Sequence, residues 1–390
     1  MTILFIALGI YGRTGGIEAF NRRVVRCLAE MAAEQGSRAR VIALWDESEH
    51  TRLAPAEVRF FPGACGKLRT ALRFYREVLE SRPDVILYGH ILLAPLAPLA
   101  RVLSPRSRHI LFVHGSEVWG DRKFRRLLPW EPPLVRRFFD TIISVSKFTR
   151  RRMISAFSLS AQRFDVLPCA VDWPERQSTV QEPTQDKAPV ILTVCRLGYK
   201  DRYKGVDKVI EAMPEILRCV PEACYWVVGA GPLRAELEQL AARCGVGDKV
   251  KFFGFVDDQS LTRLYSQAQV FIMPSTGEGF GIVFLEAWRH GLPVICGSVD
   301  ASAEVVSHRM NGLLVNPESV SDIAQAAVGL LSDSNFRKQL GEQGQKTAKL
   351  YSHAAFRERL SAILNRVAPA AYRSSREHSQ SSQPLPAPRR

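Results

Sequence analysis

The chain has 390 residues, of which 46% are hydrophobic and 24% charged, a composition typical of a globular protein with room for two domains. Its longest weakly polar run, residues 85–100, carries a histidine and two prolines and is too short to span a bilayer, which argues against a transmembrane protein. The formal net charge is +14, and residues 1–175 hold most of the excess, with 27 Lys and Arg against 17 Asp and Glu. This excess favours an anionic partner, such as a phosphorylated ligand, an acidic membrane surface or nucleic acid, or it only keeps the surface solvated.

The first predicted element is a strand at the N-terminus, which has neither the basic region nor the cleavage site of a signal peptide. Apolar runs then alternate with amphipathic stretches, and helical spacing covers residues 17–35 and 68–82. The predicted strands of this half are, in chain order, TILFIALG, RVIALW, DVILYGH, RHILFVHG and TIISVS. Because these strands are apolar on both faces, we expect a parallel sheet flanked by helices.

A polar, proline-bounded segment, residues 174–189, interrupts this order and is typical of a linker. Beyond it the alternation restarts, with predicted strands VILTVCRLG, CYWVVGAG, VKFFGFV, VFIMPS, PVICG and GLLV. Helices are predicted over GVDKVIEAMPEILRCV, LRAELEQLAARCG, SLTRLYSQAQ, the stretch after Gly281 and VSDIAQAAVGLL. The final residues, 367–390, are rich in Ser, Gln, Pro and Arg without apolar periodicity, and we expect them to be disordered.

The alternation therefore predicts two doubly wound α/β domains of similar size, facing each other across a ligand-binding cleft. The predicted boundaries are residues 1–173 for the N-terminal domain, 174–189 for the linker and 190–350 for the C-terminal domain. Residues 351–366 are expected to form a helix that packs back on the N-terminal domain.

Eight cysteines are scattered along the chain, and none forms a C-x-x-C pair. Cys195 and Cys296 lie in apolar, strand-like runs. This usage predicts buried free thiols rather than disulfides or a zinc site, and hence a protein of the reducing cytoplasm.

Two candidates for chemistry lie in the first half of the chain. The glycines of GRTGGIEAF, residues 12–20, would let backbone amides reach a phosphate at a strand-to-helix turn. The segment matches neither the dinucleotide fingerprint nor a P-loop, so a plain tight turn explains it equally well. His114 follows an apolar strand and would point into the crevice, with a hydrogen-bonded structural histidine as the alternative.

The second half offers a basic loop, CRLGYKDRYKG, after its first strand. Arg196 and Lys204 stand where a diphosphate would need a forked donor and a point charge. A solvated basic loop is the alternative.

The stretch STGEGFGIVFLEAW, residues 275–288, carries two glutamates around a Gly-Phe-Gly turn. The turn frees backbone amides at the start of a helix, where they favour an anion. Glu278 lies before that start, whereas Glu286 lies about one turn inside an apolar helix. A buried carboxylate needs hydrogen-bond donors, and the diol of a ribose or a sugar ring would supply two. A solvent-facing glutamate on a half-buried helix is the alternative.

Taken together, these segments resemble a known family. TGGIEAF, the His-Gly pair after a strand, VCRLGYKDRYKG, VVGAGP and PSTGEGFGIVFLEAWRHGLPVICG are similar to the retaining nucleotide-sugar glycosyltransferases of family four in the sequence-based classification. The resemblance covers the chain to about residue 365 and implies the GT-B fold, two facing Rossmann-like domains. Its most specific part is the pair of glutamates with seven residues between them, together with Arg196 and Lys204.

The resemblance also implies roles for individual residues. The donor diphosphate would be held by side chains and backbone amides at six positions: Gly15, Gly16, Arg196, Lys204, Gly281 and Ile282. Glu278, with Gly279 and Phe280, would contact the transferred sugar, and Glu286 would bind the ribose. His114 would approach the donor sugar and support the developing oxocarbenium ion, so that His114, Glu278, Arg196 and Lys204 form the expected catalytic set.

The implied reaction is retaining transfer by front-face attack, with the leaving phosphate as base. No cofactor and no metal are expected, because the chain has no D-x-D-like motif in place, and Asp257 and Asp258 look like a helix cap. Two segments depart from the family pattern, CAVD at residues 169–172 and SVDASAE at residues 298–304. Both segments are expected near the donor sugar, so these departures bear on which sugar is transferred.

The expected function is transfer of a hexose of the mannose, glucose or N-acetylglucosamine type from a UDP- or GDP-sugar in bacterial polysaccharide or glycolipid synthesis. The acceptor would be a glycan or a lipid-linked sugar. Cations mixed with Phe, Leu and Trp at residues 121–130, 136–138 and 147–153 favour peripheral contact with the anionic inner face of the plasma membrane, or form a solvated face. A sugar phosphorylase or disaccharide synthase of the same fold is the enzymatic alternative, and a nucleic-acid-binding protein, suggested only by charge, is not expected.

Overall fold

The computed structural model describes residues 1–63, 66–173 and 188–369, which divide into two units. The first unit comprises Met1–Val145, Thr149–Pro168 and residues 354–369. The second comprises Ser146–Phe148 and the described part of Cys169–His353. The predicted linker and C-terminal tail lie outside the described residues, except for residues 188–189 and 367–369.

The first unit contains a seven-stranded, wholly parallel sheet in the order β3-β2-β1-β4-β5-β6-β7. Its strands are β1 (Thr2–Ala7), β2 (Arg38–Ala43), β3 (Val58–Pro62), β4 (Val85–Tyr88), β5 (Arg108–Val113), β6 (Thr141–Ser144) and β7 (Phe164–Val166). The central strands are buried along almost their whole length, because helices cover both faces. This arrangement confirms the predicted parallel α/β sheet.

The helices that accompany this sheet are α1 (Gly16–Gln35), α2 (Lys67–Ser81), α3 (Ala97–Leu103), α4 (Glu131–Phe138) and α5 (Lys147–Phe157), with short 3-10 helices at Ser48–Leu53, Ile91–Leu96 and Ala161–Arg163. The sequence pattern predicted α1 and α2 but not α3 or α4. Each of these two helices carries proline in its first turn. A proline there costs no hydrogen bond, since the first amides of a helix have no partner within it.

The second unit repeats the same topology with six parallel strands in the order β10-β9-β8-β11-β12-β13. The strands are β8 (Val190–Val194), β9 (Cys224–Val228), β10 (Val250–Gly254), β11 (Val270–Met273), β12 (Val294–Gly297) and β13 (Gly312–Val315). The helices are α6 (Val206–Cys219), α7 (Arg234–Arg243), α8 (Asp258–Gln267), α9 (Ile282–Arg289), α10 (Ser302–Val305), α11 (Val320–Ser332) and α12 (Ser334–Lys349), with a 3-10 helix at Tyr199–Lys204. Asp257 caps α8 by accepting the Ser260 amide at 2.7 Å, as the sequence predicted.

The last helix, α13 (His353–Val367), packs on the first unit from residue 354 onward. The Phe356 ring meets the Phe20 ring of α1 edge-on, with centroids 5.3 Å apart. Arg357 lies 3.5 Å from Glu30, also of α1. The helix therefore joins the first unit by both apolar and charged contacts.

The described residues hold no helix both long and apolar enough to cross a membrane. Their cysteines are free thiols, of which Cys27, Cys169 and Cys296 are buried. Cys195, Cys224 and Cys244 are only half-buried and Cys219 is exposed, so the predicted burial holds for part of the set.

Two helical glycines provide a matched test of the packing in the second unit. A Cβ on Gly344 of α12 would lie 2.1 Å from Trp288, a fully buried ring of α9, whereas Gly329 of α11 has open space around it. We expect Gly344→Ala to lower the free energy of unfolding by about 1–3 kcal/mol through overpacking. Gly329→Ala should raise it by about 0.5–1 kcal/mol, because alanine loses less backbone entropy. Urea unfolding of the two variants checks the pair, and equal effects would contradict the packing described.

Candidate functional site

The loop between β1 and α1 is held by a buried carboxylate, Asp46, three residues after the end of β2. Asp46 accepts the amides of Ile10 at 3.0 Å and Tyr11 at 2.8 Å, and a longer bond of 3.3 Å comes from Gly12. The sequence pattern did not single out Asp46, because a lone aspartate after a strand carries no motif. The structure shows that this carboxylate fixes the course of the glycine loop.

The predicted phosphate-binding glycines, Gly15 and Gly16, lie at the N-terminus of α1. Gly16 is the first helical residue, and Gly15 precedes it with extended backbone. A Cβ on Gly15 would lie 2.5 Å from the Glu18 carboxylate, a contact that the flexible glutamate side chain can relieve by moving. The aligned amides of the helix start favour an anion, although the Glu18 charge beside them opposes one.

His114 follows β5 and is half-buried against aromatic rings. Its Nε2 lies 2.9 Å from the Gly89 carbonyl, and its ring meets Phe20 edge-on at 5.1 Å. A carbonyl oxygen can only accept, so Nε2 carries the proton and, in the neutral ring, Nδ1 presents a lone pair. Next to it stands His90, which sequence reasoning missed; burial lowers the pKa of His90 to about 4 and keeps it neutral at pH 7.

In the second unit, Arg196 lies just beyond β8 with 68% of its side chain exposed. Its guanidinium is 3.2 Å from Asp201, which also accepts the Gly198 amide at 3.3 Å. The backbone at Gly229 packs directly against the start of this loop, since a Cβ at position 229 would lie 1.7 Å from the Cys195 carbonyl. Arg196 therefore pairs with Asp201 through one guanidinium nitrogen, while most of its side chain remains exposed.

Lys204 forms an ion pair with Glu278, with Nζ 2.5 Å from Oε1. Only 12% of the lysine side chain and 13% of the glutamate side chain are exposed. Burial alone would lower the pKa of Lys204, but the attraction of the Glu278 carboxylate for the charged ammonium has the larger effect. The pKa of Lys204 therefore lies above the ordinary value for a lysine. Two residues that the family resemblance assigns to different parts of the donor are thus direct partners here.

Close backbone contacts bring these two side chains together. Gly205 has a φ of +75°, and a Cβ there would lie 2.6 Å from the Pro274 carbonyl. The Thr276 amide donates to the Tyr203 carbonyl at 2.8 Å. The loops after β8 and β11 therefore touch, which places Lys204 beside Glu278 at the carboxyl ends of the strands.

Asp300, in the segment that departs from the family pattern, holds the Glu278 loop from the other side. It is 3% exposed, and its Oδ2 accepts the Glu278 amide and the Ser275 hydroxyl, each at 2.7 Å. Its Oδ1 accepts the Ser302 amide at 2.9 Å. Burial raises the pKa of Asp300 to about 6. Sequence reasoning flagged the segment without giving this aspartate a role.

The Gly-Phe-Gly turn leads into α9 as predicted. Gly281 caps the helix with a φ of +89°, and α9 begins at Ile282. The Phe280 ring is buried against Tyr351, with centroids 5.6 Å apart, so the ring is not available to a ligand. Gly279 precedes it in the same turn.

Glu286 is half-buried one turn inside α9, where the chain itself supplies a donor. The Tyr265 hydroxyl lies 3.4 Å from Glu286 Oε2. Burial raises the pKa of Tyr265 well above its ordinary value, and the nearby Glu286 charge raises it further. The Tyr265 ring stacks on His290 at 4.9 Å. The sequence predicted a buried carboxylate that needs donors; Tyr265, distant along the chain, was missed.

Comparisons with known proteins support one family for both units. The family model described as "Glycosyltransferase Family 4" matches residues 14–173, and that described as "Glycosyl transferases group 1" matches residues 175–347. The chain is 34% identical over 294 residues to a GDP-mannose-dependent alpha-(1-6)-phosphatidylinositol monomannoside mannosyltransferase of Mycobacterium tuberculosis, covering 70% of this chain and 74% of the relative.

A second relative and a solved structure agree. A GDP-mannose-dependent monoacylated alpha-(1-6)-phosphatidylinositol monomannoside mannosyltransferase of Corynebacterium glutamicum is 32% identical over 312 residues, 74% of this chain and 78% of that protein. The crystal structure of Anabaena HepE in complex with UDP-glucose superposes with a TM-score of 0.74 at 22% identity, covering 94% of this chain and 99% of that one. At this identity the superposition shows the fold alone.

The Asp300 carboxyl makes stability depend on pH in a defined direction. Its pKa is about 6 in the folded chain against an ordinary 3.8, so the stability it contributes is present at acid pH and lost as pH rises through 6. We therefore expect the difference in unfolding free energy between the wild type and Asp300→Asn to shrink by about 1.4 kcal/mol from pH 5 to pH 8. Urea unfolding at both pH values measures it. Asp248→Asn, at an exposed position, serves as the control. A difference independent of pH at Asp300 would contradict the burial of its charge.

Proposed function

The chain belongs to the family 4 glycosyltransferases, and we propose that it transfers a mannosyl residue from GDP-mannose to a lipid-linked acceptor with retention of configuration. The chain is a glycosyltransferase of glycolipid or lipopolysaccharide synthesis. The finer assignment of donor rests on the two relatives at 34% and 32% identity, both named as GDP-mannose-dependent. The geometric observation that carries the proposal is the buried Lys204–Glu278 pair next to the exposed guanidinium of Arg196.

The diphosphate is the part of the donor that these cations fit. A guanidinium matches two phosphate oxygens at once, and an ammonium acts as a point charge. Lys204 is held in place by Glu278 before any ligand arrives, so its charge needs no reorganisation as the leaving phosphate develops negative charge. We propose that Arg196 and Lys204 supply the leaving-group stabilisation and that no divalent metal or other cofactor is required.

Glu278 then takes the sugar. Its Oε1 is engaged by Lys204, which leaves the second carboxylate oxygen to accept a hydroxyl of the transferred hexose. The backbone of Gly279, Phe280 and Gly281 continues along the same turn and offers amides to the sugar or the phosphates. Glu286, already oriented by the Tyr265 hydroxyl, accepts the ribose hydroxyls.

In the first unit, Gly15, Gly16 and His114 remain the proposed donor contacts. The amides at the start of α1 suit a phosphate oxygen. With Nε2 fixed on the Gly89 carbonyl, His114 presents Nδ1, which would lie toward the sugar and support positive charge on its ring.

The basic segments of the first unit favour an acceptor held at an anionic membrane surface. Leu128 and Trp130 are 41% and 39% exposed within residues 121–130, next to the exposed Arg122 and Lys123. Apolar and cationic side chains together suit the interface of an anionic leaflet. The acceptor is therefore proposed to be a glycolipid, and turnover with only a small soluble sugar would instead favour a disaccharide synthase.

The Arg196 guanidinium provides the sharpest test of the proposed reaction. We expect Arg196→Ala to lower kcat/KM for GDP-mannose by about 10²–10³, the usual loss when one donor to a developing oxyanion is removed. Release of GDP in the presence of mixed mycobacterial or corynebacterial glycolipids measures the rate. Arg202→Ala is the matched control, because Arg202 lies in the same loop, is half-exposed and pairs with Glu236.

Two results of this assay would contradict the proposed reaction. A rate unchanged in Arg196→Ala, or no turnover of any GDP- or UDP-sugar by the wild type, would overturn the proposal. The same assay with EDTA should keep the wild-type rate, and a loss that Mg²⁺ or Mn²⁺ restores would contradict the metal-independent reaction.

A further inference from the structure

We propose that the first unit carries a separate phosphate-binding pocket, formed by Arg122, Arg126 and Arg152 around Trp119, which receives the phosphodiester of a phospholipid headgroup. The cavity has a volume of about 480 Å³. The source of the phosphate rests on the proposed transfer to a lipid-linked acceptor, whereas the pocket itself is independent of that function.

The walls of the pocket are built by a loop packed directly against α5. Gly120 has a φ of +72°, and a Cβ there would lie 2.8 Å from the Ala156 Cβ, so the loop backbone runs along the helix. Trp119 is 4% exposed and donates its indole N–H to the Thr149 hydroxyl at 3.2 Å. The indole is thus fixed in the wall.

The charges that line the pocket are strongly unbalanced. Arg152 pairs with Asp121 at 3.0 Å and lies 5.9 Å from the Trp119 ring centroid, which orients its guanidinium. Arg122 and Arg126 line the same cavity, and among the described residues Asp121 is the one carboxylate paired with these three arginines. The pocket therefore holds two guanidinium charges in excess, and an anion would compensate them.

A second set of contacts holds the arginine-bearing loop in place. Arg125 donates to the Glu117 carbonyl at 2.6 Å and pairs with Glu131, whose side chain is fully buried at the start of α4. Glu131 also accepts the Leu128 amide at 2.8 Å. The loop with Arg122 and Arg126 is therefore anchored between these bonds, and less entropy is lost when a ligand binds.

The arginines that line the pocket favour a phosphate, and the apolar side chains near the pocket favour a lipid as the source of that phosphate. Guanidinium groups recognise the oxygens of a phosphate in pairs, a geometry that a single lysine does not provide. Leu127 lines the cavity, and Leu128 and Trp130, which follow it closely in the sequence, are exposed. Bound nucleic acid would place ribose or further phosphates against these apolar side chains, whereas a headgroup at a membrane surface places acyl chains there.

The test uses the full-length protein with two probes. Flotation compares phosphatidylcholine vesicles with and without phosphatidylinositol, and calorimetric titration with glycerophosphoinositol reports the same headgroup without acyl chains. Ser155→Glu adds a carboxylate at an exposed position of the pocket rim on α5, and Ser155→Gln matches its size without the charge. Arg106→Ala makes the same change in net charge at an exposed turn of the same unit.

We expect Ser155→Glu to weaken binding of both probes by about tenfold or more, the effect of cancelling one charge-assisted hydrogen bond. Ser155→Gln and Arg106→Ala should bind like the wild type. Headgroup binding that Ser155→Glu leaves unchanged, loss to the same extent in Arg106→Ala, or preferential binding of an RNA oligonucleotide would each overturn the assignment.

Failure of this proposal is distinguishable from failure of the proposed function. Hydrolysis of GDP-mannose to GDP in detergent, without acceptor, reports turnover of the donor without engaging the proposed headgroup pocket. If Ser155→Glu keeps that activity and headgroup binding is also unchanged, the pocket assignment fails while the transferase proposal stands. If the wild type binds the headgroup but releases no GDP or UDP from any nucleotide sugar in the presence of glycolipids, the pocket stands and the proposed function fails.

Discussion

The buried ion pair between Lys204 and Glu278 is the interaction on which the second unit's site depends. A charge removed from water is costly unless it is paired and hydrogen-bonded, and removing one partner leaves the other uncompensated. The chain meets this requirement with backbone contacts at three strand ends. Gly205 lies against the Pro274 carbonyl, Gly297 lies against Ser275, and Asp300 accepts the Glu278 amide. The topology of the parallel sheet brings these loops to one edge, so the site follows from the strand order.

This pair also explains how a site made of ordinary residues can serve transfer chemistry. In the proposed reaction, a lysine already fixed by a carboxylate would present its charge to the leaving phosphate without reorganisation, which is the main requirement for electrostatic stabilisation. Arg196 has the complementary property, since its guanidinium is largely exposed and can close on a ligand. Glu286, hydrogen-bonded to Tyr265, is the residue proposed to bind the ribose of the donor. Under the proposed function, Glu278 would meet the hexose, Arg196 and Lys204 the diphosphate, and Glu286 the ribose.

Much of this arrangement could be predicted from the sequence. The apolar runs and helical spacing predicted both parallel sheets, and the Gly-Phe-Gly turn predicted that α9 begins directly after Gly281. The glutamates at 278 and 286 were identified from their spacing within an apolar stretch. The edge strands β3 and β7 and the proline-led helices α3 and α4 were missed, because short strands and proline-containing turns lack a distinctive period.

The residues that position the site could not be predicted for a different reason. Asp46, Asp300 and Tyr265 act through contacts with residues 20 or more positions away, and neither spacing nor residue type reveals such partners. The arginine pocket is similar, since its walls come from a loop and from α5, which begins 20 or more residues further along the chain. Long-range packing determines the partners of the three positioning residues and the walls of the arginine pocket, and such packing can be seen only in the folded chain.

The most direct test of the account is a double-mutant cycle on the ion pair, read out as GDP-mannose binding by calorimetry. The variants are Lys204→Met, Glu278→Gln and the combination. If the two side chains act on the donor as one unit, the double variant should bind GDP-mannose about as weakly as the single variant with the lower affinity. The loss in the double variant would then be smaller than the sum of the two single losses by about 1 kcal/mol or more. Losses that add within about 0.3–0.5 kcal/mol would contradict the account, because they would show that each residue meets the donor independently.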